Sequence, residues 1–226
     1  MKLRPGAEGG PLLADLRFFQ IFLPRELELL QQHNLERHIG GGWSARERFL
    51  SLYLLRLETA SGTMAELEAV DRAELTSQMH QVMVASTCSS DFPGQLSVLE
   101  YLVVCRQVVP GQSHSVAQQM VDLACRAGLI GSDQFRVFIG YVVYPLSPHS
   151  DLAVSEWPAL VELARKLSIE PGDGPNHAGY GVVRGSQQGS PTIPEIDMIS
   201  LAMTDLGALG RADLLQVRQV QIVPDA

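Results

Sequence analysis

The sequence predicts a mainly α protein: a multi-helix globular bundle built from short antiparallel helix hairpins, with a minor β element near the C-terminus. Three observations lead there. Helix-start pairs recur at Ser44 with Glu47, Thr63 with Glu66, Ser115 with Gln118 and Thr192 with Glu195. In each pair the hydroxyl and the carboxylate or amide can satisfy orphan backbone amides reciprocally. Apolar residues downstream recur at helical spacing, as in Phe49, Leu50, Tyr53, Leu54 and Leu57. Glycines and prolines then punctuate the pattern at Gly40 to Gly42, Gly62, Pro110 with Gly111, and Gly128.

Taken in order, residues 1–11 are rich in Gly and Pro and read as a flexible arm. A short apolar segment, LLADLRFFQIF, precedes Pro24, whose fixed φ suits the first turn of a new helix through His38. Residues 45–60 and 64–86 read as two helices joined near Gly62, a short link that favours an antiparallel hairpin. QLSVLEYLVVCRQVV is apolar nearly all round, the mark of a central buried helix. VAQQMVDLACRA follows, with Gly128 placed as a left-handed cap. SDQFRVFIGYVVY fits a helix capped by Ser132 or a β-branched strand; without a clear partner strand nearby, helix is the expectation.

PLSPHSD divides a helical core domain, residues 12–145, from a C-terminal helical segment, residues 150–226. That segment holds the amphipathic SEWPALVELARKLSI, a Gly-rich loop over 170–191, and a helix opening at Thr192. The tail LLQVRQVQIV alternates imperfectly and suits an edge strand paired with Tyr180 to Val183.

Composition bounds the function. The chain has 226 residues with a formal net charge of -8, which argues against a nucleic-acid surface. The imbalance concentrates between Ser61 and Glu100, where Glu66, Glu68, Asp71, Glu74, Asp91 and Glu100 face only Arg72. The three cysteines Cys88, Cys105 and Cys125 form no CxxC pair, so neither a disulfide framework nor a cysteine-rich zinc site is expected. No signal-peptide pattern and no apolar run of bilayer length is seen, so a cytoplasmic protein without membrane insertion is expected.

No HExxH, no G-x-S-x-G elbow and no P-loop occurs, so no catalytic residue, metal ligand or cofactor is assigned. The residues around Gly128 outline a helix-turn-helix, but the second segment is too apolar to read bases. The Gly-rich loop lacks the lysine of a P-loop and the spacing of a dinucleotide fingerprint. Asn176, His177, Tyr180 and Arg184 are its candidate binding residues, around a backbone able to form an anion nest. The function these observations favour is non-enzymatic protein–protein interaction or assembly, with a protein partner or self-association. The alternative is an enzyme or small-ligand-binding protein using His177, Tyr180 and Arg184; nucleic-acid binding ranks third.

Overall fold

The computed structural model describes residues 13–38, 48–59, 69–129, 135–146, 151–169, 179–184, 193–211 and 215–220. The N-terminal arm, the Ser44–Glu47 and Thr63–Glu66 pairs, Thr192 and most of the Gly-rich loop lie outside the described residues. The strands are β1 (Ala14–Asp15), β2 (Leu50–Thr59), β3 (Phe92–Gln95), β4 (Glu100–Cys105), β5 (Phe135–Tyr144), β6 (Gly179–Arg184) and β7 (Leu215–Val220). The α-helices are α1 (Leu16–His38), α2 (Ala69–Ala85), α3 (Ser113–Arg126), α4 (Trp157–Ile169), α5 (Glu195–Thr204) and α6 (Leu206–Arg211). One 3₁₀ turn, Val154–Glu156, leads into α4.

The expectation of a mainly helical bundle is therefore corrected: the fold is α/β around a seven-stranded sheet of order β1-β3-β4-β2-β5-β6-β7. β2 runs antiparallel to β4 on one side and to β5 on the other, with Tyr53 opposite both Val103 and Tyr141. The run β2-α2-β3-β4-α3-β5 is a βαββαβ unit of the split, ferredoxin-like kind. β6 then adds parallel to β5, with α4 as the crossover, and β7 closes antiparallel on β6. The pairing of Tyr180 to Val183 with the tail matches the alternation seen in the sequence.

The physical reason for the correction lies in burial. Leu50, Leu52 and Leu54 of β2 join the core under α1, α4, α5 and α6. Phe49, Tyr53, Leu55 and Leu57 join a second core under α2 and α3. A strand covered on both faces shows no polar alternation, so its sequence reads as continuous apolar and mimics a buried helix. The same holds for β4, whose Leu102 and Val104 face one core while Tyr101, Val103 and Cys105 face the other. In β5, Val142 and Tyr144 oppose Val137, Ile139, Tyr141 and Val143 in the same way.

Two helix boundaries also differ from expectation. α1 runs through Pro24, because Phe19, Leu23, Leu27 and Leu30 form one buried stripe spanning that residue. Burial of those side chains offsets the backbone bond that proline removes. α3 begins at Ser113 rather than at a Ser115 cap, and the Ser113 hydroxyl donates to the Pro110 carbonyl at 2.8 Å. Its far end does close on Gly128, at φ 74°, with Leu129 N–H on the Ala124 carbonyl and Gly128 N–H on that of Cys125. That bond pair is the Schellman arrangement.

Of the expected pair Thr192 with Glu195, only Glu195 is among the described residues. α5 has Pro194 at its N-cap with no side-chain cap bond. The fully buried Glu195 instead accepts from Leu146 N–H at 2.9 Å and Leu152 N–H at 3.3 Å, while its own N–H donates to Asp151 Oδ1 at 2.8 Å. Buried backbone donors need such partners, so one carboxylate ties α5 to the segment between β5 and α4.

The wide apolar helix faces that favoured an interaction protein are likewise accounted for by packing onto this sheet. α4 sits directly on β5, and a Cβ at Gly140 would lie 1.8 Å from the Ala164 carbonyl oxygen. Backbone cannot yield as a flexible side chain does, so Gly140→Ala should displace α4. We expect a loss of roughly 1–3 kcal/mol by overpacking, seen as a melting temperature lowered by roughly 3–10 °C. An unchanged melting curve would show that this helix–strand contact is looser than drawn.

Candidate functional site

A cleft of about 520 Å³ opens where the start of β2 and the end of β4 meet the second half of α1. The antiparallel register makes this junction: Ser51 pairs with Cys105, so Leu50 and Arg106 emerge at the same end of the sheet. α1 contributes Glu26, Leu29 and Leu30; the approach to β2 contributes Arg48 and Phe49; the exit of β4 contributes Arg106, Gln107 and Val109. The volume lies within the roughly 300–1,000 Å³ range of small-molecule sites.

Side chains from the fold hold both rims. Asn34, buried on α1, donates from Nδ2 to the Arg48 carbonyl at 3.2 Å and accepts the Arg48 N–H on Oδ1 at 3.3 Å. It thus serves the backbone of Arg48 as a neighbouring strand would. Ser51 Oγ donates to the Val108 carbonyl at 3.3 Å and fixes the opposite rim.

Arg106 is the most constrained group in the cleft. Its Nε donates to Glu26 Oε2 at 2.7 Å and its Nη2 to Glu26 Oε1, a fork-to-fork pair. Its guanidinium also lies 4.7 Å from the Phe92 ring centroid and 5.3 Å from that of Phe22. Phe22 and Phe92 are themselves in contact at 4.1 Å, and Phe18 extends the group at 5.0 Å from Phe22. Cation–ring contacts of this kind contribute about 0.5–1 kcal/mol each at partly exposed sites. Together they hold a planar cation in one orientation with donors to spare. The exposed Arg48 supplies a second guanidinium, and the exposed Leu29 and Val109 supply apolar wall. The cleft can therefore hold an anion against two arginines and cover an apolar or planar group beside it.

A second charged cluster sits at the other end of β2 and β4. Glu100 accepts from Arg165 at 2.9 and 3.2 Å, Arg165 also pairs with Glu162, and Arg56 pairs with Glu58. The hydrogen bonds that Arg165 donates to Glu100 hold its guanidinium above its ordinary pKa, whereas burial lowers that of Arg56. These carboxylates are engaged by arginines. Among the described residues no three His, Cys, Asp or Glu side chains converge as a metal site.

Of the four sequence-selected residues, only Tyr180 and Arg184 are described. Asn176 and His177 lie outside the described residues. Tyr180 and Arg184 are in β6, opposite Gln219 and Leu215 of β7. Two strands, β2 and β5, separate β6 from β4, so the structure does not bring Tyr180 and Arg184 to the cleft. Sequence reasoning missed Glu26, Arg48 and Arg106 because they are distant in the chain and match no motif. The one local signal was Arg106 ending the apolar run YLVVC.

Two of the cysteines, Cys88 and Cys105, are poor nucleophiles. All three are free thiols. Cys88 is exposed, but the Asp91 carboxylate, which also accepts its backbone N–H at 2.8 Å, pushes its pKa up. Burial, and then Asp91 again, raises Cys105. Thiolate is the reactive form, so raised values mean slow alkylation that accelerates only at alkaline pH. We expect iodoacetamide at pH 8 to label Cys88 more slowly in the folded protein than in urea, and Asp91→Asn to speed the folded rate severalfold. Equal folded and unfolded rates, followed by peptide mass spectrometry, would remove Asp91 from this role.

No family model matches the sequence, and no curated protein matches it. Among the described residues no helix is long and apolar enough to cross a membrane. Several solved structures are similar to the chain. The GGDEF domain of DgcB from Caulobacter crescentus, in complex with c-di-GMP, aligns with TM-score 0.49 at 13% identity, over 74% of this chain and 91% of that one. A DGC protein from Thermotoga maritima aligns with TM-score 0.45 at 12% identity, over 68% and 94% of the two chains. The diguanylate cyclase SiaD from Pseudomonas aeruginosa, in complex with its activator SiaC, aligns with TM-score 0.46 at 15% identity, over 67% and 53%. The expectation of a non-enzymatic helical scaffold is thus corrected: the apolar helix faces on which it rested are packed on a sheet.

Proposed function

We propose that the chain binds a small anionic ligand with a planar or apolar part, of the nucleotide class, in the cleft between α1, β2 and β4. The observation that carries this reading is the pairing of two guanidinium groups, Arg48 and Arg106, with exposed apolar wall in one concavity. Arginine forks suit phosphate and carboxylate oxygens, and the ring contacts to Phe22 and Phe92 orient Arg106 before a ligand arrives. The free thiols support a reducing, cytoplasm-like compartment for that activity.

Isothermal titration with inorganic phosphate, GMP and cyclic di-GMP tests the reading. Saturable binding of a nucleotide is expected, with phosphate alone much weaker because it covers no apolar wall. Arg106→Lys keeps the charge but loses the fork. It should weaken binding about ten- to a hundredfold, the range for a lost charge-assisted contact, with circular dichroism unchanged. Arg48→Gln should weaken it by a similar direction and smaller factor. Absence of saturation with every probe, or an Arg48→Gln/Arg106→Lys double variant that binds like the parent, would refute the proposal.

A further inference from the structure

We propose that Glu26 sets the charge selectivity of this cleft, so that it takes a planar ligand carrying one negative charge in preference to two. The inference rests on the cleft reading above and specifies its ligand. Glu26 is mostly buried on α1, whereas Arg106, its partner, is more open to the cleft. The acid engages Nε and one Nη2 donor of Arg106. A guanidinium has five N–H donors, so the remaining three stay available to a ligand. Phe22 and Phe92 against the guanidinium keep Arg106 from swinging away from Glu26. A ligand therefore meets the Glu26–Arg106 pair as a unit.

The charges lining the cleft among the described residues are Glu26, Arg48 and Arg106, one negative and two positive, hence a formal +1. Attraction to such a site grows in proportion to ligand charge, while the cost of removing the ligand from water grows as its square. A half-enclosed +1 site is matched by a monoanion such as a phosphodiester or a carboxylate. A terminal phosphate at neutral pH, near two charges, leaves one unmatched. Without Glu26 the site would carry +2 and suit the dianion.

The test compares three planar probes at pH 7.5 by isothermal titration: cyclic GMP as phosphodiester, orotate as carboxylate, and GMP as dianion. The parent protein should bind one of the monoanions more tightly than GMP, and the better of the two identifies the anionic group preferred. Glu26→Gln should improve monoanion binding about fivefold and GMP binding by about the square of that, since the removed repulsion scales with ligand charge. The preference then narrows or reverses. Arg48→Gln, at an exposed position where folding is not at stake, should widen it by removing one positive charge. GMP bound more tightly than both monoanions by the parent, or a monoanion-to-GMP ratio unmoved in both variants, would overturn the role of Glu26 while leaving the cleft a ligand site. Failure of all three probes while cyclic di-GMP binds would overturn the preference for a single charge, and failure of cyclic di-GMP as well would overturn the cleft reading itself.

Discussion

The enclosure of β2 is the constraint on which the rest of this structure depends. Both edges of the strand are hydrogen-bonded, to β4 and to β5, and both faces are covered by helices. Leu52, Tyr53, Leu54 and Leu55 are all fully removed from solvent. At about 25 cal/mol per Å² of apolar surface removed from water, each of these fully buried side chains adds to the hydrophobic stabilisation of the sheet. Tyr53 reaches across the core under α2 and α3 to the Ser113 carbonyl at 3.2 Å and stacks on Tyr141 at 5.6 Å, so it joins β2, β5 and α3. Burial keeps its hydroxyl protonated well past the ordinary range.

The cleft follows from the same enclosure. Because β2 and β4 are antiparallel with Ser51 opposite Cys105, the residues beyond each strand end must leave together. α1 crosses that end, and its buried stripe of Phe19, Leu23, Leu27 and Leu30 sets which side turns Glu26 toward Arg106. Residues 26, 48 and 106 thus meet by topology, with no local motif among them. At the opposite end of the same strands, Glu100 is held by Arg165 of α4 rather than by a ligand. The two ends of one strand pair have different electrostatic characters: one is closed by paired charges, the other offers guanidinium donors.

Some of the fold was legible in the chain. The helical spacing of VAQQMVDLACRA and its glycine cap correspond to α3 and its Schellman end. SEWPALVELARKLSI corresponds to α4, and the alternation of the tail to β7 beside β6. β2 and β4 were not legible as strands, and β5 was readable as either strand or helix. LSLYLLRL contains no β-branched residue before Thr59 and is rich in leucine, a good helix former, so local propensity opposed the state that two-sided burial imposed. Glu195 shows the same gap at one residue. Its spacing from Thr192 is that of a cap, yet its carboxylate serves amides more than forty residues away.

By itself the sequence determined where the chain is apolar, where Gly128 must adopt a left-handed conformation, and that no metal or nucleophile motif of known spacing is written in it. These are properties of neighbouring residues, set by sterics and hydration within a few positions of the chain. Only the tertiary structure decided whether an apolar run became strand or helix. Only it brought Glu26, Arg48 and Arg106 to one cleft. Both decisions depend on long-range pairing, in which the free energy of an enclosed sheet outweighs the preferences of any single segment.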